Sequence, residues 1–516
     1  MEWKISFDEV RYRLELALKP AEPPVLDEVL AAVEKNGRLH GPVDQVFSAW
    51  RLYVEYAAQE IAETFQLTEE ERRTLLNFRD AVKTLLTEAQ RQAREKLAAL
   101  YKAVAEGNYR LEGGKLFAPD GTWMYTKALV PRILIHGINA SARFPDVLKL
   151  PRKRLELLQL GWRASDESEI KGRPFMGTTQ PWQVFAWAAT RCGAFRIHIE
   201  SVNLTREGVS VSVHLRANSW RQRWSKDEAV DLVINHFRRG EWAPLLTMWL
   251  GDGKVRWGRI GRFEIAVAAK APQRLGKVAG DYEAIVAKGK EMFKMLDEAA
   301  GPYGVLLDAL RSHKWLYIKE TVSRKRTVEI LREAVGSFHQ ADPVRILESM
   351  KLSLVSGNGG TLIAAYYTSS AEEAVAAADA LEALRMRPNV VKSNRKYVVY
   401  VGLSEIKKNE ELRKVATQFL AEKMRSGTPK QQEIARRIVQ RNPDFFRYGH
   451  YQPSKAVRKL VAGPGLLGGF SPEPGTSGSH RGCPLMSPAA YLAGLPRFRP
   501  RRPQSRGGPS STFSSI

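Results

Sequence analysis

Apolar residues at three- and four-residue steps dominate the first hundred positions. Leu75, Val82, Leu85, Leu86, Ala89, Ala93, Leu97, Leu100 and Val104 form one stripe. Before it, Thr68-Glu69-Glu70-Glu71 has the form of a capping box, with the Thr68 hydroxyl on an orphan amide and Glu71 reaching back. The pattern predicts one long amphipathic helix ending near Gly107, packed inside its own domain or paired as a coiled coil. Further on the period shortens. Segments 195–202 and 209–215 read as strands joined by Leu204-Thr205-Arg206-Glu207-Gly208, a glycine-containing turn, and so as a hairpin.

Two later junctions share a layout. An apolar run, Trp242-Ala243-Pro244-Leu245-Leu246-Thr247-Met248-Trp249-Leu250, reads as a helix ending in Gly251-Asp252-Gly253, with a basic, strand-like stretch after it. About a hundred residues on, Lys351-Leu352-Ser353-Leu354-Val355-Ser356 runs into Gly357-Asn358-Gly359-Gly360 and then another strand-like stretch. Small residues precede both polar positions at matching offsets, Thr247 and Gly251 in the first, Ser353 and Gly357 in the second. Residues four apart share a helix face, so this spacing predicts two helices meeting backbone to backbone, with Asp252 and Asn358 side by side at the end of a pseudo-twofold contact. Taken alone, Gly251-Asp252-Gly253 also suits an ordinary helix C-terminus in which Asp serves the turn.

The elements expected after each junction repeat in outline. After the first come a hairpin (255–257 and 263–268), a helix over 281–299 and a strand over 315–319. After the second come a strand, a helix over 371–387, a strand pair (390–392 and 396–401) turned by Ser393-Asn394-Arg395, and a helix from Ser404.

Composition sharpens the functional question. With 80 Lys+Arg against 56 Asp+Glu the net charge is +24, a field that favours polyanions because neutralised phosphates release counterions. Dense surface charge equally suits proteins of hot environments. Cys192 and Cys483 lie far apart, which excludes a disulfide scaffold and suits a reducing, cytoplasmic setting. Glu2, Asp8 and Glu9 stand where an export signal wants a basic start, and no apolar stretch is long enough to span a membrane. The histidines show no ligand spacing, and Gly357-Asn358-Gly359-Gly360 lacks the Lys and Ser/Thr of a phosphate loop, so a nucleotide cofactor is not expected.

Three other segments are distinctive. Gly172 to Gln183 and the Val184-Phe185-Ala186-Trp187 that follows read as an aromatic core corner without chemistry. Trp220-Arg221-Gln222-Arg223-Trp224 suits either nucleic-acid stacking or Arg stems lying over half-buried indoles. Beyond Lys459 the chain is rich in Gly, Pro, Ser and Arg and contains no lysine. That composition buries no core, and reads either as a disordered basic tail or as a GC-rich gene translated out of frame.

The paired junctions resemble the LAGLIDADG homing endonucleases in their single-chain, two-motif form, over about residues 230 to 445. Residues 172–187, 201–216 and 242–254 also resemble the Pyrobaculum aerophilum repetitive-element proteins of type two-b, a family of unknown function with many decayed copies. The endonuclease resemblance implies that the motif helices form a seam, that their terminal acids hold divalent metal between two scissile phosphates, and that twisted sheets straddle the DNA major groove. Asp252 then falls on the metal-binding acid of the first motif and Asn358 on that of the second. An amide offers an oxygen to Mg²⁺ but no charge, so cleavage is expected to be weakened to nicking at most.

The expectation is therefore an α+β, monomeric protein with a helical region (1–110), a mixed region (111–225), two pseudo-symmetric αββαββα halves (226–330 and 331–445) and a disordered tail (446–516). Its partner would be double-stranded DNA, contacted by Arg256, Lys319 and Lys396 first, then Lys254, Arg262, Lys392 and Arg395, with Lys314 a further basic position on the sheets. Its ion, where catalysis survives, would be Mg²⁺ on Asp252. The alternative is a mobile-element remnant with no catalytic activity.

Overall fold

The computed structural model describes residues 6–257, 262–268, 277–279, 282–288, 290–336, 341–356, 360–393 and 396–443. The chain divides into two units, Met1–Ala334 and Val335–Ile516. The segment beyond 445, together with Gly357, Asn358 and Arg395, lies outside the described residues.

The first unit opens with four helices: α1 (Phe7–Leu18), α2 (Leu26–Asn36), α3 (Val43–Thr64) and α4 (Glu69–Ala105). Strands β1 (Arg110–Glu112), β2 (Lys115–Phe117), β3 (Trp123–Tyr125), β4 (Arg132–Leu134) and β5 (Asn139–Phe144) lead to α5 (Arg152–Ala164). Then come β6 (Ser168–Ile170), β7 (Arg173–Thr178), α6 (Pro181–Thr190), β8 (Gly193–Thr205), β9 (Gly208–Ala217), α7 (Lys226–Arg238) and α8 (Ala243–Asp252). The unit closes with β10 (Arg262–Ala268), β11 (Lys277–Ala279), β12 (Tyr282–Lys288), α9 (Lys290–Ala300), α10 (Pro302–Ala309), α11 (His313–Ser323) and α12 (Thr327–Val335).

The long helix and the hairpin form as their periodicity dictates. Helix α4 starts at the Thr68–Glu71 capping box and buries the whole Leu75 to Val104 stripe. Strands β8 and β9 pair antiparallel at the centre of a nine-stranded sheet ordered β1-β2-β3-β4-β8-β9-β7-β6, with β5 also on β8. Alternation along β8 sends Phe195, Ile197 and Ile199 into the core, where Phe78 of α4 meets Phe195 edge-on at 6.1 Å and Trp187 of α6 meets it at 5.8 Å. The aromatic corner over 172–187 is core, with Trp182 and Trp187 fully buried.

Two predicted elements of this unit take a different form. Residues 315–319 lie in helix α11, not a strand: the Ser312 hydroxyl caps it by accepting from Trp315 N, and burial of Lys314, Trp315, Tyr317, Ile318 and Thr321 follows a helical face. The helix expected over 281–299 is split, because Tyr282–Lys288 pairs along its length with β10 and only α9 is helical.

The second unit comprises α13 (Pro343–Ser349), β13 (Lys351–Val355), β14 (Thr361–Thr368), α14 (Ala371–Ala383), β15 (Asn389–Ser393), β16 (Lys396–Gly402), α15 (Leu403–Ile406), α16 (Glu410–Ser426) and α17 (Pro429–Arg441). Its antiparallel sheet runs β13-β14-β16-β15. The β15–β16 pair and α14 form where their patterns place them. The helix expected before Gly359 does not: Lys351–Val355 is a strand, with Ser353 opposite Ile363. Lys-Leu-Ser-Leu alternates at period two, and that alternation outweighs the four-residue spacing of Ser353 and Gly357. Ser353 is thus no helix-seam residue.

One buried ion pair ties the end of α5 into the core. Glu167 accepts from Arg191 Nη2 at 2.7 Å and Nε at 3.0 Å, from Trp187 Nε1 at 2.7 Å and from Gln222 Nε2 at 2.7 Å, and both charged residues are almost wholly buried. Removing one partner of such a pair leaves an uncompensated charge. Glu167→Ala is therefore expected to lower stability by about 3–5 kcal/mol in urea unfolding followed by circular dichroism, a larger loss than Glu167→Gln, which keeps the hydrogen-bonding shape.

Candidate functional site

Helix α8 meets a partner, and that partner is α5. Thr247 Oγ1 donates to Leu158 O across the seam at 2.8 Å. A Cβ on Gly161 would overlap Pro244 O and Thr247 Oγ1, so only glycine lets the two backbones come this close. At the far end a Cβ on Gly251 would overlap Ser165 Oγ and lie 3.2 Å from Asp166 N. Gly161 and Ser165 stand five and one residues before Asp166; Thr247 and Gly251 stand five and one before Asp252. Both helices therefore present small residues in one register; α8 ends on its acid, and α5 leads into Asp166 just past its cap, Ser165.

Their charged surroundings match as well. Lys226, the first residue of α7, donates from Nζ to Ser165 O, and Lys314, in the first turn of α11, donates from Nζ to Gly251 O. Each ammonium thus caps the carbonyl just before one acid. Asp166 also accepts from Gln183 Nε2 at 2.9 Å.

Electrostatics at the pair are strained in an informative way. Burial pushes the Asp252 carboxyl up to about 6, the nearby Asp166 charge adds to the rise, and Lys226 and Lys314 partly oppose it. Burial draws Lys314 down to about 8 against the pull of both carboxylates, with Arg38 adding to the depression. His313 is buried, drawn down to about 3 by burial and then by the Lys314 and Arg38 charges, and its Nδ1 has no hydrogen-bond partner among the described residues. Two neighbouring carboxylates, that of Asp252 driven toward protonation by burial, form a donor set of hard oxygens of the kind a divalent cation such as Mg²⁺ takes.

The pair opens into a cleft of about 890 Å³ whose walls carry Lys35, Arg38, Arg206, Lys254 and Arg256, with Asp166, Asp252 and Lys314 also lining it. Lys35 and Arg38 are exposed, and the structure gives neither a carboxylate partner among the described residues. Lys254 and Arg256 both bind Glu264, at 3.3 and 3.0 Å. A second basic surface is the outer face of the large sheet. Register sets Asn139 opposite His198, Ser141 opposite Arg196 and Arg143 opposite Ala194, so these polar side chains share the face turned away from Phe195 and Ile197. Arg132, Arg143 and Arg196 are exposed there.

The residues singled out by sequence are scattered. Asp252, Thr247 and Gly251 sit in the seam, and Arg256 and Lys254 in the cleft wall. Lys314 is not a sheet residue but a buried ammonium at the floor. Lys319 lies on helix α11, not on a strand, and is bound to Asp308 at 2.7 Å. Lys396 and Lys392 belong to the second unit on β16 and β15, Lys392 over the Tyr397 ring at 5.4 Å. Arg262 lies on β10. In the Trp220–Trp224 run, Trp220 donates to Cys192 O, Arg223 pairs with Glu156 and Gln222 donates to Glu167. Sequence reasoning passed over Asp166, Gln183 and Lys226; the offset Gly161-x-x-x-Ser165-Asp166, identical to Thr247-x-x-x-Gly251-Asp252, was the signal that would have found them.

No family model, curated protein or solved structure matches the chain. Among the described residues no helix is long and apolar enough to cross a membrane.

A raised carboxyl pKa costs stability once the group must ionise. For Asp252 that cost is fully present above about pH 6 and disappears as pH falls toward the ordinary carboxylate range. Asp252→Asn is accordingly expected to be more stable than the parent by on the order of 1–3 kcal/mol near pH 8, with the gap closing near pH 4; thermal unfolding of both proteins across that range checks it.

Proposed function

We propose that this protein binds double-stranded DNA and cuts one or both strands in a metal-dependent reaction, as a LAGLIDADG-type endonuclease whose two motif helices are α5 and α8. The meeting of Asp166 and Asp252 at the base of a basic cleft carries this reading. The order of elements supports it: α5, β6–β7, α6, β8–β9 and α7 follow the αββαββα pattern of that family. After α8 come three strands, paired in the order β10-β12-β11, and then α9 to α11, so the second half keeps the helices but has helix in place of its last strand pair. On this reading the pseudo-symmetric halves lie within the first unit. The neutral Asn358, which had argued for a crippled site, is then not a metal-binding position at all.

Asp166 and Asp252 would hold Mg²⁺; when bound, the ion supplies charge neutralisation at the phosphate and activation of water. The chain's own groups prepare the rest. Gln183 fixes Asp166 through its amide, leaving the other carboxylate oxygen for the ion. Lys226 and Lys314 hold positive charge beside the two acids, where a scissile phosphodiester would bring its own negative charge. Lys35, Arg38, Lys254 and Arg256 give the cleft the sign that a DNA backbone needs, and the arginines on the outer sheet face offer phosphate and base contacts along a longer tract.

Supercoiled plasmid incubated with the protein and Mg²⁺ is expected to be nicked or linearised, with Asp166→Asn and Asp252→Asn each slower by about 100-fold or more. Mg²⁺ is expected to raise the melting temperature of the parent but of neither variant. Arg143→Ala with Arg196→Ala is expected to weaken DNA binding and to flatten its salt dependence by about one to two phosphate contacts. Salt-sensitive DNA binding with no Mg²⁺-dependent cleavage would reduce the reading to a binding protein. Cleavage untouched by either aspartate substitution would end it.

A further inference from the structure

The outer face of the large sheet carries a cluster that the helix-end site does not use. His198 of β8 and His214 of β9 stand directly opposite one another in the register, their rings 5.0 Å apart. Glu200 occupies the bulge where β8 slips by one residue against β9. Its Oε2 lies 3.4 Å from His198 Nε2 and 3.8 Å from His214 Nδ1. One ligand atom from each of the three residues falls within 4.8 Å of the other two.

We propose that His198, Glu200 and His214 form a three-ligand site for a borderline divalent transition metal of the Zn²⁺ or Co²⁺ kind, with one coordination position open to solvent. Donors held about 2.0–2.1 Å from a tetrahedral metal are separated by about 3.3 Å, so the carboxylate and His198 already stand near the required spacing and His214 needs a small shift.

Surrounding residues shape the cluster. Ser212 Oγ lies 3.3 Å from His214 Nε2, and as an acceptor from Nε2–H it would free the Nδ1 lone pair on the Glu200 side for a metal. Gly177 of β7 is paired opposite His214, and a Cβ there would stand 2.8 Å from His214 Nε2, so the imidazole has room only because that neighbour is glycine. All three ligands are half-buried, open enough for an ion to enter.

The charges nearby choose the class of metal. Arg196 and Arg216 act on His198, and Arg132 acts on His214, so three guanidinium groups oppose a single carboxylate. A cation held only by charge, such as Mg²⁺ or Ca²⁺, would be repelled. A metal that bonds imidazole nitrogen strongly tolerates that field, and the same arginines would favour an anionic oxygen, such as a phosphate, at the open position. This site stands whether or not Asp166 and Asp252 cut DNA.

Titration of the full-length, tag-free chain with Co²⁺ tests it. One equivalent is expected to give the intense visible absorption of a tetrahedral ion, displaced by Zn²⁺. His198→Ala and His214→Ala are each expected to weaken binding by about 100-fold, while Asp166→Asn with Asp252→Asn leaves the spectrum unchanged. His198→Asn and His214→Gln, with melting curves matched to the parent, separate loss of a ligand from loss of the fold. Absence of the tetrahedral band at one equivalent, or its survival in folded His198 and His214 variants, would overturn the proposal.

Discussion

Close approach of two helix backbones is the constraint from which the rest of the candidate site follows. Gly161 lets α8 sit against α5, and Gly251 lets the end of α5 sit against α8. Neither position tolerates a methyl group without the helices moving apart, and interiors packed at crystal-like density transmit such a shift rather than absorb it. Because the small residues fall at the same offsets from Asp166 and Asp252, contact along the seam brings the two acids together at its end. Geometry that is ordinary packing along the helix becomes electrostatic tension at its terminus.

That tension is contained rather than relieved. Lys226 and Lys314 occupy the carbonyls that precede the acids, Gln183 holds one carboxylate, and the Glu167–Arg191 pair anchors the chain one residue past Asp166. A buried carboxyl raised to about 6 beside a buried ammonium lowered to about 8 is a costly arrangement for stability alone. Perturbed charges of this kind cluster at functional sites, which is why the helix ends rather than the surface lysines are proposed as the site.

Much of the architecture was legible in the chain. The α4 stripe and its capping box, the β8–β9 hairpin, the β15–β16 pair and the Thr247–Gly251 face of α8 all follow from local period and turn chemistry. The partner of α8 was not, for a physical reason. Helix α5 carries Gln159 and Arg163 inside its apolar run and ends in Asp-Glu instead of Asp-Gly. Those side chains are buried because each reaches a backbone carbonyl, Gln159 that of Thr190 at 2.6 Å and Arg163 that of Trp224 at 2.9 Å. Such partners come from distant sequence and leave no trace in the local pattern. Asn358 drew notice by its flanking glycines, but a strand precedes it. Lys314 looked like a strand cation, and the Ser312 cap made it a helix residue at the cleft floor.

Anomalous scattering from crystals grown with Mn²⁺ in place of Mg²⁺ tests the central claim most directly. The account predicts a strong peak touching carboxylate oxygens of both Asp166 and Asp252. A structure in which Mn²⁺ binds elsewhere and leaves that pair bare, or in which α5 and α8 end apart, would contradict it.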